Sequence, residues 1–277
     1  MLSMAILDYP KPHIVAWGDD SGTKALIGGG SHYAKITRTL DYINDKKRRQ
    51  KPGFDDELVF MLDAYDIWFQ LPVEVLLERY HNIVEEENER VKKRMGRAFD
   101  IEKIHSSIIF GGGKRCAPNF IYSLACYPVP DSPISKDIRQ QNTDTAMGRN
   151  QWSSFRTRYL NSGYIIGPIR EMRPLLEKAK QRLEECIDRK GVEWDDGYGG
   201  SNRCYGGSDQ SIFVEMFGEQ EFQREVMRRH HRRIYDGVLE KLIPDRAGAN
   251  PPPTHIMNTP IDDLLDPAFS HQAHEAK

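Results

Sequence analysis

The sequence predicts an α/β domain, and three features carry that prediction. Leu58–Leu62 is an unbroken apolar run of strand length, the pattern of a strand buried on both faces. Two carboxylates, Asp63 and Asp66, follow where that strand should end. Helical periods lie on either side. Tyr33, Ile36, Leu40 and Ile43 share one face before it, and Ile169, Met172, Leu175, Leu176, Ala179 and Leu183 share one face well after it.

Taken in order, residues 1–9 read as a short helix stopped by Pro10 and Pro12. His13–Trp17 reads as a short strand. Gly28-Gly29-Gly30-Ser31 is a glycine turn feeding the Tyr33–Ile43 helix, with Ser31 as its N-cap. Such a turn presents backbone N–H groups to an anion, although most glycine turns are only tight turns. Lys46–Lys51 is a basic run that reads as a solvated loop. Pro72 opens a helix whose later part, Val84–Arg94, is charged all round and expected to be exposed.

Ser106–Phe110 is a second buried-type strand, ending in Gly111-Gly112-Gly113. Residues 128–150 read as a long loop. Tyr159–Gly167 is a third strand-like segment with Asn161-Ser162-Gly163 inside it. Polar and glycine residues there suggest close approach of a ligand or another backbone. Val192–Gly207 reads as a loop. A helix then begins at Ser208-Asp209-Gln210, where capping alone would explain an acid. From Pro244 the chain turns Pro-, Asp- and His-rich. The expected organisation is one domain over residues 1–243 and a partly disordered segment over 244–277.

Composition narrows the function classes. The chain has 277 residues, 39% apolar and 29% charged, with a net charge of −2. That balance makes no general electrostatic case for nucleic acid or a membrane surface. No apolar run approaches the length of a membrane span, and the first ten residues lack the basic start and cleavage site of a signal peptide. Cys116, Cys126, Cys186 and Cys204 show no zinc spacing, and buried thiols and two disulfides are both open readings.

The chemistry centres on the D-x-x-D. An isolated pair of this spacing is more often a turn cap and an ion pair. Here the acids follow a buried strand and precede Ile67, Trp68 and Phe69, and carboxylates beside so much apolar surface need a cation or hydrogen bonds. Ligands in open α/β sheets sit outside the carboxyl ends of strands. A hard divalent ion there takes one or two carboxylates plus substrate phosphates.

The blocks Gly28–Ser31, Leu58–Pro72, Ile108–Asn119, Tyr159–Gly167 and Ser208–Phe217 come in an order that resembles one family. It is similar to the glycosyltransferase domains of collagen lysyl hydroxylases and procollagen glycosyltransferases, and looks closest to their fungal relatives. The blocks are spread over roughly four fifths of the chain, and their order is more specific than any one motif. The resemblance implies a GT-A fold, a Rossmann-like α/β/α sandwich with a mostly parallel central sheet, here expected to lack the family's first strand. It implies a UDP-sugar donor bound through Mn²⁺ (or Mg²⁺), a protein or glycan acceptor, and the secretory pathway.

By the same resemblance Asp63 and Asp66 match the metal ligands, with His255 in about the region of a third. Gly29, Gly30, Ser31, Lys35 and Asp63 fall beside the nucleotide, and Asn161, Ser162 and Gly163 line the donor sugar. Asp209 and Gln210 match the acid and amide near the transfer centre. A metal would neutralise the leaving diphosphate while polar groups fix the sugar. A second reading is a non-catalytic nucleotide-sugar or glycan-binding relative. It is motivated by the missing first strand, by the unmatched surroundings of His255, and by Ser208 where relatives often show an acid. Phosphoryl transfer on the same acids ranks last, since neither a Walker lysine motif nor D-x-D-x-T spacing is present.

Overall fold

The computed structural model describes residues 2–15, 31–63, 67–133, 156–188 and 204–235. The chain divides into a unit over residues 1–231, which holds the sheet, and a unit over 232–277, of which the last helical residues are described. The boundary expected at 243/244 lies outside the described residues.

Helices α1 (Leu2–Ile6), α2 (Ser31–Asn44) and α3 (Lys46–Arg49) precede strand β1 (Leu58–Leu62). Helices α4 (Val73–Met95) and α5 (Arg97–Ile101) lead to β2 (Ile109–Gly113). Strand β3 (Tyr159–Pro168) runs directly into helix α6 (Ile169–Asp188), and α7 (Asp209–Tyr235) closes the described chain. The mixture of helices and strands is as expected. Two local expectations change. The basic run forms the short helix α3, because Asp45 caps it by accepting from the Arg48 N–H. Residues 13–15, expected in a strand, carry no regular structure.

The described strands form one sheet in the order β1-β3-β2, with β3 antiparallel to both neighbours. This corrects the expectation of a mostly parallel sheet for the described strands. Only Met61 of β1 is fully buried and the Phe60 face lines an open groove, so the run is not the strand buried on both faces that was expected. Strand direction is decided by the long connections, which local pattern does not encode. β1 and β2 are parallel to each other, joined through α4 and α5, and β3 lies between them.

Alternation sends Met61 and its cross-strand partner Ile165 to one face of the sheet. There they join the main core with Ile36, Leu40 and Ile43 of α2, the predicted apolar face of α6, and Ile212 and Phe213 of α7. Phe60 and Tyr164 fall on the other face, and with Val75 and Leu76 of α4 and the exposed Trp68 they line an open groove of about 450 Å³.

The charged part of α4 is not exposed all round. Val91 and Met95, four residues apart, are buried against Ala98, with Met227 of α7 packed on them. Buried Glu221 holds this contact in place, pairing with Arg94 of α4 and Arg224 of its own helix, each at 2.6–2.7 Å. Disulfides join Cys116 to Cys126 and Cys186 to Cys204, which settles the open cysteine reading. Among the described residues no helix is long and apolar enough to cross a membrane.

Gly218 marks where α7 crosses the loop closed by the first disulfide. A Cβ there would meet the Leu124 carbonyl oxygen and lie 2.6 Å from Ala125 Cα, both backbone atoms that cannot swing aside. Gly218→Ala is expected to destabilise the protein by about 1–3 kcal/mol through overpacking, read as a lower midpoint in urea denaturation.

Candidate functional site

Four segments far apart in sequence meet at the carboxyl end of β1. Asp63 continues the β1–β3 ladder one step past the strand, its N–H donating to the Gly163 carbonyl at 2.8 Å. Opposite it, β3 is irregular. Phe110 and Gly111 of β2 are adjacent, yet their partners in β3 are Ile165 and Asn161, so residues 162–164 bulge out of that pairing. Bulges re-aim side chains at strand ends. This one accounts for the polar Asn161-Ser162-Gly163 inside an otherwise apolar strand.

The bulge is held by its own side chains. The Gly163 N–H donates to Asn161 Oδ1 at 2.9 Å. A Cβ on Gly163 would lie 2.8 Å from that same Oδ1, so a side chain there would displace Asn161, while Asp63 Oδ2 would sit at an ordinary contact distance of 3.6 Å. Asn161 Nδ2 donates to Gln210 Oε1 at 3.1 Å, and the Ser162 N–H points to the same oxygen at 3.4 Å. Gln210 Nε2 in turn donates to the Ala117 carbonyl, next to disulfide-bonded Cys116. Asn119 Nδ2 reaches the Ser211 carbonyl at 3.4 Å, tying the same loop to the start of α7.

Lys35, one turn into α2, joins the remaining groups. Its Nζ lies 2.8 Å from Asp63 Oδ1, 2.8 Å from the Ser162 carbonyl oxygen and 3.0 Å from Asp209 Oδ2. The contacts to Asp63 and Ser162 are hydrogen bonds, and that to Asp209 is an ion pair. The Asp209 side chain is 4% exposed, that of Lys35 13%, and that of Asp63 48%. Burial by itself would lower the lysine's pKa. The charge of Asp209 and the hydrogen bond to Asp63 outweigh it, and the pKa lies above the ordinary 10.5. Lys35 with Asp209 is therefore a nearly sealed neutral pair, and Asp63 is the anionic group at its solvent edge.

The structure thus brings together Lys35, Asp63, Asn161, Ser162, Gly163, Asp209 and Gln210. Ser31 opens α2 one turn before Lys35. Gly29, Gly30, Asp66 and His255 lie outside the described residues. Two of the expected roles read differently in place. Gln210 spends its amide on Asn161, Ser162 and Ala117, and so clasps β3 to the loop after β2. Asp209 is the counter-ion of Lys35 as well as the first residue of α7. The sequence reading did not find Ala117 as the partner of Gln210, since a main-chain carbonyl leaves no side-chain signal.

Asp63 fits a metal anchor of the single-carboxylate kind. Lys35 engages Oδ1, half of the side chain is open to solvent, and an ionised carboxylate keeps further acceptor positions. Among the described residues no group of three His, Cys, Asp or Glu side chains gathers as a metal site. Compared with protein-family models, with curated proteins and with solved structures, the chain matches none of them.

The buried pair has a measurable signature. Lys35→Met strands the Asp209 charge and is expected to cost about 3 kcal/mol, while the double variant with Asp209→Asn recovers most of that loss. Because the lysine pKa is raised on folding, the pair's contribution is complete below pH 10.5 and is lost as pH rises through the higher folded value. Chemical denaturation of the wild type and both variants at neutral and strongly alkaline pH measures this. An equal loss in the single and double variants would contradict the coupling.

Proposed function

We propose that residues 1–231 form a metal-dependent glycosyltransferase domain of GT-A type that moves a sugar from a UDP-sugar donor to a protein or glycan acceptor. The observation that carries this reading is the convergence of the resemblance's separate blocks on one point. Lys35 after the glycine turn, Asp63 after β1, Asn161–Gly163 and Asp209-Gln210 are distant in sequence and within hydrogen-bond reach of one another.

In this reading Asp63, with Asp66 of the same D-x-x-D, would hold Mn²⁺ or Mg²⁺. When bound, the ion supplies charge neutralisation for the departing diphosphate. The chain's own residues supply the rest. Lys35 orients the Asp63 carboxylate, and the Asn161–Gly163 segment at the bulge sets the floor against which the sugar lies. Gln210 keeps that floor fixed to the loop after β2, so that its polar groups are pre-organised before the donor arrives. The open groove lined by Tyr164, the residue after Gly163, combines aromatic surfaces with Arg79 and is the candidate acceptor face. The two disulfides support a protein matured in an oxidising compartment such as the secretory pathway.

A second reading has an observation of its own. Gln210 and Asp209, the expected transfer residues, are both engaged by protein partners, a pattern suited to a rigid binding site without turnover. In that reading the domain binds a nucleotide sugar or glycan for another protein.

Calorimetry with UDP separates these possibilities. Binding that requires both Mn²⁺ and Asp63, and is lost in Asp63→Ala, is expected. Hydrolysis or transfer from a UDP-sugar then distinguishes the enzyme from the binding module. No UDP binding with or without Mn²⁺ would end the enzyme reading and the nucleotide-sugar form of the second.

A further inference from the structure

We infer that Lys35 is a resident cation of the site that weakens the hold of Asp63 on a free divalent ion, so that the metal enters together with the donor's diphosphate. This rests on the metal-dependent reading above and adds to it an order of loading. Three observations support it. Lys35 Nζ stands 2.8 Å from Oδ1 of the same carboxylate that would anchor the ion, so a divalent cation there meets a positive charge a few ångströms away. The lysine cannot swing clear, because it also neutralises Asp209, whose side chain is 4% exposed. It donates as well to the Ser162 carbonyl at 2.8 Å.

With Asp209 cancelled by Lys35, Asp63 alone among these three groups supplies net negative charge to the ion. A diphosphate changes that balance. Its oxygens add negative charge and ligands on the far side of the metal, which one or two protein carboxylates ordinarily leave to phosphate and water. The pair therefore favours the metal–nucleotide complex over the bare ion.

Mn²⁺ binding to the full chain, followed by loss of the free-ion electron paramagnetic resonance signal with and without UDP, tests this. Wild type, Lys35→Gln and the double variant Lys35→Met, Asp209→Asn are compared. The glutamine removes the charge while keeping an N–H donor on the side chain, and the double variant removes both members of the buried pair. Without UDP, Lys35→Gln is expected to bind Mn²⁺ about tenfold more tightly than wild type, and the double variant about threefold more tightly. With UDP, the wild-type affinity rises and the gap between proteins narrows. Equal Mn²⁺ affinity of wild type and Lys35→Gln without UDP, while UDP still recruits the ion, overturns the loading order and leaves the metal-dependent reading standing. Failure of every protein to take up Mn²⁺ through Asp63 even with UDP overturns both.

Discussion

A carboxylate as deeply enclosed as Asp209 stays ionised only where a cation is enclosed with it, and Lys35 is that cation. The arrangement fixes more than one residue. To reach Asp209 at the start of α7, Lys35 must extend from α2 past the end of β1, and it meets Asp63 and the Ser162 carbonyl on the way. One ammonium thereby registers two helices against two strands. The apolar core beneath, from Ile36 through Met61 and Ile165 to Phe213, supplies the bulk of the burial, while the polar junction selects how those layers are aligned.

Around that junction the structure replaces flexibility with short covalent and hydrogen-bonded closures. Cys116–Cys126 closes the loop whose Ala117 carbonyl receives Gln210, and Cys186–Cys204 anchors the chain five residues before Asp209. The start of α7 is thus restrained from both sides. A site built this way meets its ligand with groups already in place, which lowers the ordering cost of binding.

Much of this was legible in the residues and some was not, for physical reasons. The run Leu58–Leu62 and the apolar face from Ile169 to Leu183 fix a strand and a helix locally, and both formed as expected. The direction of β3 was not legible, because antiparallel placement between β1 and β2 depends on connections rather than on pattern. Val91 and Met95 were hidden among charges, although their spacing of four is itself a helical stripe. The positions of Lys35, Asp63 and Asn161–Gly163 in one site followed from the order of the blocks. The partners of Asp209 and Gln210 did not, since an acid or amide at a helix start serves a cap, a ligand or a neighbouring strand equally well.

The main chain at Ser162 makes contacts that its side chain does not. It gives its N–H toward Gln210 and its carbonyl to Lys35, while its hydroxyl enters neither contact. What joins α2 to α7 at this point is the path of the main chain through the bulge. Residue type at 162 is therefore a poor guide to whether a related chain has the same junction. The better guide is backbone geometry, together with the glycine that follows and the asparagine that precedes it.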